Sequence, residues 1–306
     1  MFRLTFAAKI TEIGIIEKSV PLQINYLNIN YHLHSLQINN YIFKVERMAQ
    51  NLYDIVSSDG KRYPYLIPEK PFASLDDGFE YLKKVFLSGR HIVVQDFVLN
   101  DCFTQEDLGC YFEIRKLSTD SDCAKSIERY IGAPIQNLRL YAMEPNAFDL
   151  ETVKNAKVLV ITELNLRDFP DPPIVRNPVV VFQDMDISAA RMAFFVQMWS
   201  GERRTDGMMF MKVANQEAMR KMVEDVKKRF GSTFLNVNEG NPRPFLLTKV
   251  VRIPLSPVTQ LIIHGVQQTL YHDDIPFLCH YVKMEAISND MDYREMLYRE
   301  YNFLSF

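Results

Sequence analysis

The chain has 306 residues, 47% of them hydrophobic and 24% charged, with a net charge of −3 and an isoelectric point near 6.1. That length and balance suit a globular protein of one large domain or two modest ones. The slight acidity excludes the broad basic footprint on which nucleic-acid binding depends.

At the N-terminus, MFRLTFAAKITEIGIIEKSV breaks its apolar residues with Arg3, Lys9, Glu12 and Glu17. It has neither the apolar core of a signal peptide nor the length of a bilayer span, so no membrane association is expected. LTFAAKITEIGIIE and LQINYLNINYHLHSLQINNYIFKVERM alternate apolar and polar residues, with Leu22, Ile24, Tyr26 and then Leu27, Ile29, Tyr31, Leu33 at every second position. Period two predicts half-buried antiparallel strands, and the slip at Tyr26–Leu27 suits a bulge or a new strand. Asp59-Gly60 is a turn signal. Pro64, Pro68 and Pro71 then end regular structure and mark the clearest internal boundary, so residues 1–70 read as a β-rich N-terminal region.

From residue 71 to 286 the pattern becomes strand–helix alternation. SLDDGFEYLKKVF predicts a helix capped by Ser74, with Leu75, Phe79, Leu82 and Phe86 on one face and Ser88-Gly89 at its end. HIVVQDFVL reads as a strand, and SDCAKSIERYI (121–131) as a short helix aligning Cys123, Ile127 and Ile131. NLRLYAM (137–143) and AKVLVITELNL (156–166) are predicted strands around a short DLETVKN helix. Residues 178–213 join an apolar strand, a helix ending near the only tryptophan, Trp199, a Gly turn and a second apolar strand. A unit of that size returns its second strand parallel to the first. In NQEAMRKMVEDVKKRF, Met219, Met222, Val223, Val226 and Phe230 form the cleanest apolar stripe. Gly231 is its stop, and Lys227, Lys228 and Arg229 sit where the helix dipole favours cations. Further strands are predicted at 246–253, 260–265 and 276–284. The last residues, 287–306, read as an amphipathic helix or a peripheral tail.

Strand centres near Val94, Leu140, Val160, Val180 and Phe210 are roughly 45, 20, 20 and 30 residues apart, a rhythm of one strand and one helix per interval. The expected fold class is therefore α/β, as an irregular leucine-rich-repeat-like solenoid with an N-terminal antiparallel β-rich region. An open parallel α/β layer fits the same spacing, because no repeat consensus persists.

Reactive chemistry is sparse. The chain carries no glycine-rich phosphate loop, no His-Glu-x-x-His and no Gly-x-Ser-x-Gly. His32 and His34 alternate in a presumed strand at a spacing that can chelate a metal, but without a third ligand nearby they read as a solvent-facing pair. His272, Asp273 and Asp274, with Cys279 and His280 following, resemble a catalytic dyad or metal corner, yet YHDDIP reads better as a polar turn before a strand. Asp184 and Asp186 lie at a strand end where α/β enzymes place catalytic groups; capping of the next helix by Asp186 or Ser188 explains them as well. Arg203-Arg204 and Lys227–Arg229 read as solvated helix ends. Cys102, Cys110, Cys123 and Cys279 are too few and scattered for a disulfide framework, and no Asn-x-Ser/Thr sequon occurs, so an intracellular, reducing compartment is expected. No catalytic residue, cofactor site or metal site is assigned. On the helix before Trp199, Phe195 shares its side with Met192 and Trp199, leaving Phe194 as a flank or contact residue.

The 178–213 stretch resembles the type-2 F-box-associated domain, found downstream of F-box motifs in ubiquitin-ligase adaptors. That signature is a strand, a helix written approximately Asp-x-Asn-x-Phe-Leu-Lys-x-Trp, then Gly and a Leu-rich strand. In RMAFFVQMWSG (191–201) the matching residues are Phe195, Trp199 and Gly201, and MMFMKV follows as the strand. Arg191, Ala193, Val196 and Gln197 depart from the usual Asp, Asn, Leu and Lys.

The resemblance implies a non-catalytic substrate-recognition module of a Skp–cullin–F-box ligase, gripping a protein partner by shape and a few buried anchors. The helical F-box that docks the Skp adaptor is not evident ahead of the β-rich start. Direct Skp binding is therefore not expected, and the chain reads as a truncated product or a relative that keeps the binding half. Two alternatives stay open: an orphan protein-interaction scaffold without ligase recruitment, and an enzyme with a dispersed site.

Overall fold

The computed structural model describes residues 20–49, 52–60, 72–100, 102, 109–141, 145–162, 175–183, 189–201, 206–236, 249–272 and 275–291. The chain forms two compact units, Met1–Ala156 and Lys157–Phe306. Both are mixed α/β, neither sheet closes on itself, and antiparallel pairings outnumber parallel ones among the described strands.

In the first unit, β1 (Leu22–Asn30), β2 (Ser35–Ile38), β3 (Tyr41–Ala49) and β4 (Leu52–Ser57) form an antiparallel meander. Helix α1 (Leu75–Leu87) follows. The Ser74 side chain accepts from the Asp77 N–H at 3.1 Å, which fixes the first turn of that helix. Phe79, Leu82 and Phe86 are buried, and Phe86 meets Phe43 of β3 with ring centroids 4.8 Å apart. The helix lies so close to β3 that a Cβ on Gly78 would sit 2.6 Å from a Val45 methyl. After Gly89, at φ 68°, come β5 (His91–Asn100), β6 (Tyr111–Asp120), α2 (Ser121–Ile127), β7 (Asn137–Tyr141) and the one-turn helix α3 (Glu151–Lys154). The sheet order is β4-β3-β2-β1-β5-β6-β7, and β1, β5, β6 and β7 run parallel.

Strand β6 was not anticipated, and it fills the long gap before Leu140. Its buried residues, Phe112, Ile114, Leu117 and Thr119, skip one position in the middle. β1 and β5 do the same at Ile24 to Leu27 and Val94 to Phe97, and the register omits Asn25, Gln95 and Arg115 at the same level of all three strands. The slip at Tyr26–Leu27 is thus one of three aligned irregularities inside continuous strands. Each turns two successive side chains outward and then returns the apolar series to the core.

The second unit begins with β8 (Val158–Thr162) and β9 (Val179–Gln183). Helix α4 (Ala189–Gly201) leads to β10 (Met208–Val213), which pairs parallel to β9 with Met208 opposite Val179. Helix α5 (Gln216–Phe230) is capped by Asn215, whose side chain accepts from the Ala218 N–H at 2.9 Å, and is stopped by Gly231 at φ 59°. Met219, Met222, Val223 and Val226 are buried, whereas Phe230 is half-buried. An antiparallel meander closes the unit: β11 (Thr233–Asn236), β12 (Lys249–Pro254), β13 (Thr259–His272) and β14 (Ile275–Ser288), in the order β8-β9-β10-β14-β13-β12-β11.

Two expectations need correction, the solenoid and the turn at Gly201. A solenoid would require parallel strands throughout, but each unit joins a parallel run to an antiparallel meander, so the irregular leucine-rich-repeat-like solenoid expected from the strand spacing forms in neither. The prolines at 64, 68 and 71 lie outside the described residues, and the strands on either side of them belong to one sheet, since β1 hydrogen-bonds to β5. The division into two compact units falls between Ala156 and Lys157. Gly201 is the last residue of α4 rather than a separate turn. The helix or tail expected at 287–306 lies outside the described residues from 292 onward.

Candidate functional site

Parallel sheets are ordinarily covered on both faces. In the first unit, one face of β1, β5 and β6 is sealed by Ile24, Leu27, Ile29, Ile92, Val94, Phe97, Leu99 and their β6 counterparts. The other face stays half-buried or exposed along its length. Parallel register stacks its side chains in rows across the strands: Tyr26, Asp96, Lys116 and Asn137 in one, Asn28, Val98, Ser118 and Arg139 in the next. The aligned irregularities add Asn25, Gln95 and Arg115 to this front.

One end of the front is pre-ordered. His91 and Tyr111 stack with centroids 4.1 Å apart, and the Tyr111 hydroxyl lies 2.9 Å from His91 Nδ1. His91 Nε2 is 3.0 Å from a Glu113 carboxylate oxygen, close enough for an ion pair when the imidazole is protonated. Arg115 donates to Gln95 Oε1 at 3.4 Å. Tyr111 is nevertheless 43% exposed. The surface offers a fixed aromatic plate, both signs of charge and several amides.

His32 and His34 fall in the β1–β2 turn, correcting the presumed strand. The Asn30 side chain accepts from the Leu33 N–H at 3.1 Å, and His34 has φ 42°, so the polar side chain bends the chain where alternation alone continues it. His34 lies 3.1 Å from an Asp76 carboxylate oxygen and edge-on to Phe79, while Leu33 is 60% exposed.

Asp184, Asp186, Ser188, Arg203, Arg204, Asp273 and Asp274 lie outside the described residues, as does the side chain of His272, whose backbone pairs with Ile275 in the β13–β14 hairpin. Cys279 is buried in an apolar cluster with Val181, Phe210 and Tyr281; His280, the next strand residue, projects to the opposite face, and partial burial lowers its pKa. No dyad forms between them. Phe195 and Trp199 are buried, Phe195 against Phe182 at 5.1 Å, and Phe194 is 36% exposed. Among the described residues no group of three or more His, Cys, Asp or Glu could hold a metal ion, and no helix is long and apolar enough to cross a membrane.

The second unit carries a buried polar cluster that pattern reading missed. Lys283 of β14 donates to Glu285, two residues on along the same face, and His264 of β13 sits directly opposite Lys283. Burial, and then the neighbouring Lys283 charge, hold the His264 imidazole neutral with its pKa lowered to about 3. All three are almost wholly enclosed, so the cluster is structural. A cleft of about 230 Å³ in the first unit is lined by Glu128, Ile131, Gly132, Pro134 and Thr152. Both of its carboxylates are engaged: Glu128 Oε1 accepts from the Thr152 N–H at 2.9 Å, and a Glu151 oxygen lies 3.5 Å from Lys154 Nζ. No family model, curated protein or solved structure matches this chain.

Proposed function

We propose that the chain is a non-catalytic, intracellular protein-binding module whose recognition face is the open front of β1, β5, β6 and β7. One observation carries the reading: four parallel strands with an apolar back keep a polar front that is half-buried or exposed, with side chains aligned in rows. Such a wall offers a partner shape and polar complementarity, with the aromatic plate of Tyr111 as an anchor. The likeness of residues 191–201 to the F-box-associated signature supports a finer reading, in which the captured protein is a ubiquitination substrate.

Affinity capture from cells, with the intact chain beside Tyr111→Ala and Arg115→Glu variants of unchanged Tm, tests the reading. A protein set enriched by the parent chain and lost from both variants supports it. A set retained by both variants moves the site elsewhere, and no set above an unrelated control protein removes the binding role. Co-purification with the Skp adaptor separates the ligase reading from a free-standing scaffold.

A further inference from the structure

Cys102, just past the end of β5, and Cys123, in the first turn of α2 beyond β6, bring their sulfur atoms to 3.3 Å. Cys102 is exposed and Cys123 is 3% exposed. Cys123 is held from two sides: its N–H donates to the Asp120 cap at 2.8 Å, and its side chain is packed beneath the helix with Ala124 and Ile127. Two thiols separated by 21 residues in sequence do not reach van der Waals contact through local geometry. The ends of two adjacent parallel strands place them there.

We infer that Cys102 and Cys123 form a reversible disulfide site that a low-molecular-weight disulfide oxidises. The exposed Cys102 thiolate attacks one sulfur of the oxidant, whose S–S bond breaks and releases one small thiol. Cys123 then loses its proton to water and attacks the Cys102 sulfur, expelling the second small thiol. Two thiols of the chain are oxidised by two electrons, and one small disulfide is reduced to two small thiols. The order of attack follows from access. Burial, then the Cys102 thiol and the Asp120 carboxylate beside it, push the Cys123 thiol up, which leaves the first attack to Cys102. Closing the pair requires the sulfurs to approach by a little over 1 Å, from contact to the bond length of about 2.05 Å. The bond would tie the segment after β5 to the helix after β6, at one end of the open strand front.

The full chain, equilibrated in oxidised and reduced glutathione mixtures, tests this by intact mass, peptide mapping and Tm. The expected product loses two hydrogens, maps to a Cys102–Cys123 link, melts several degrees higher and returns to the starting mass with dithiothreitol. Cys123→Ala should stop at a glutathione adduct on Cys102, and the surface change Cys102→Ser should abolish both adduct and link without lowering Tm. Four free thiols in excess oxidised glutathione, a persistent adduct on the unmodified chain, or a link through Cys110 would each overturn the assignment.

Discussion

Each unit joins a parallel run to an antiparallel meander, and the two use opposite chain orders. The first lays its meander down before the parallel strands, and the second ends with it. They also dispose of their sheet faces differently. In β5 and β6 buried and accessible residues alternate, apart from the aligned slip, whereas every residue of β8 and β9 is buried. HIVVQDFVLN and YFEIRKLSTD keep polar residues for a solvated front; VLVIT and VVVFQ have one each, Thr162 and Gln183, and both are buried. The difference separates a face that reaches solvent from a wall buried on both sides.

If the second unit is the support, its interior should be the more sensitive. Trp199→Ala removes the largest fully buried side chain and should cost about 3–5 kcal/mol, read as a lower urea midpoint in far-UV circular dichroism. A loss under 1 kcal/mol would mean that this core is loosely packed.

Acid should reach the same unit through His264. Above its ordinary value of 6.5 the imidazole is neutral folded or unfolded, so its full contribution is present. Between 6.5 and about 3 only the unfolded chain takes up the proton, and stability falls by up to about 1.4 kcal/mol per pH unit. Below that both states are protonated and this loss stops. His264→Leu should flatten the acid limb of a Tm-against-pH curve, and an unchanged limb would show that other groups dominate it.

Caps offer a matched pair across the units. Ser74→Ala and Asn215→Ala each remove one side-chain bond to a first-turn N–H and should each cost about 1 kcal/mol in thermal melts. The smallest effect should come from the open front. Arg115→Ala should change stability by no more than about 0.5 kcal/mol while weakening partner capture; a large drop in Tm would make the front structural and blur the contrast.

How much of this was legible in the sequence follows the range of the interactions. Ser74, Gly89, Gly231 and the Met219–Val226 stripe act within a turn or two of the chain, and their chemistry names the element they make. The parallel pairing of β1 with β5 depends on residues about seventy apart, and nothing local in LQINYLNIN announces the partner. β6 escaped because Glu113, Arg115 and Lys116 interrupt its apolar series, and its slip spoils a strict period of two. The polar cluster of His264, Lys283 and Glu285 escaped for a related reason, since a charged residue in a strand reads as solvent-facing until a neighbouring strand covers it. The front itself, made of ordinary polar residues, becomes a surface only once the strands lie side by side.

The burial of Trp199 has an optical consequence. As the only indole in the chain, it gives the second unit a native emission signal from an apolar site, while the first unit carries none. A red shift on heating therefore reports the loosening of that unit alone. Comparing its midpoint with the ellipticity of the whole chain reveals, without any label, whether the two halves melt as one body or in succession.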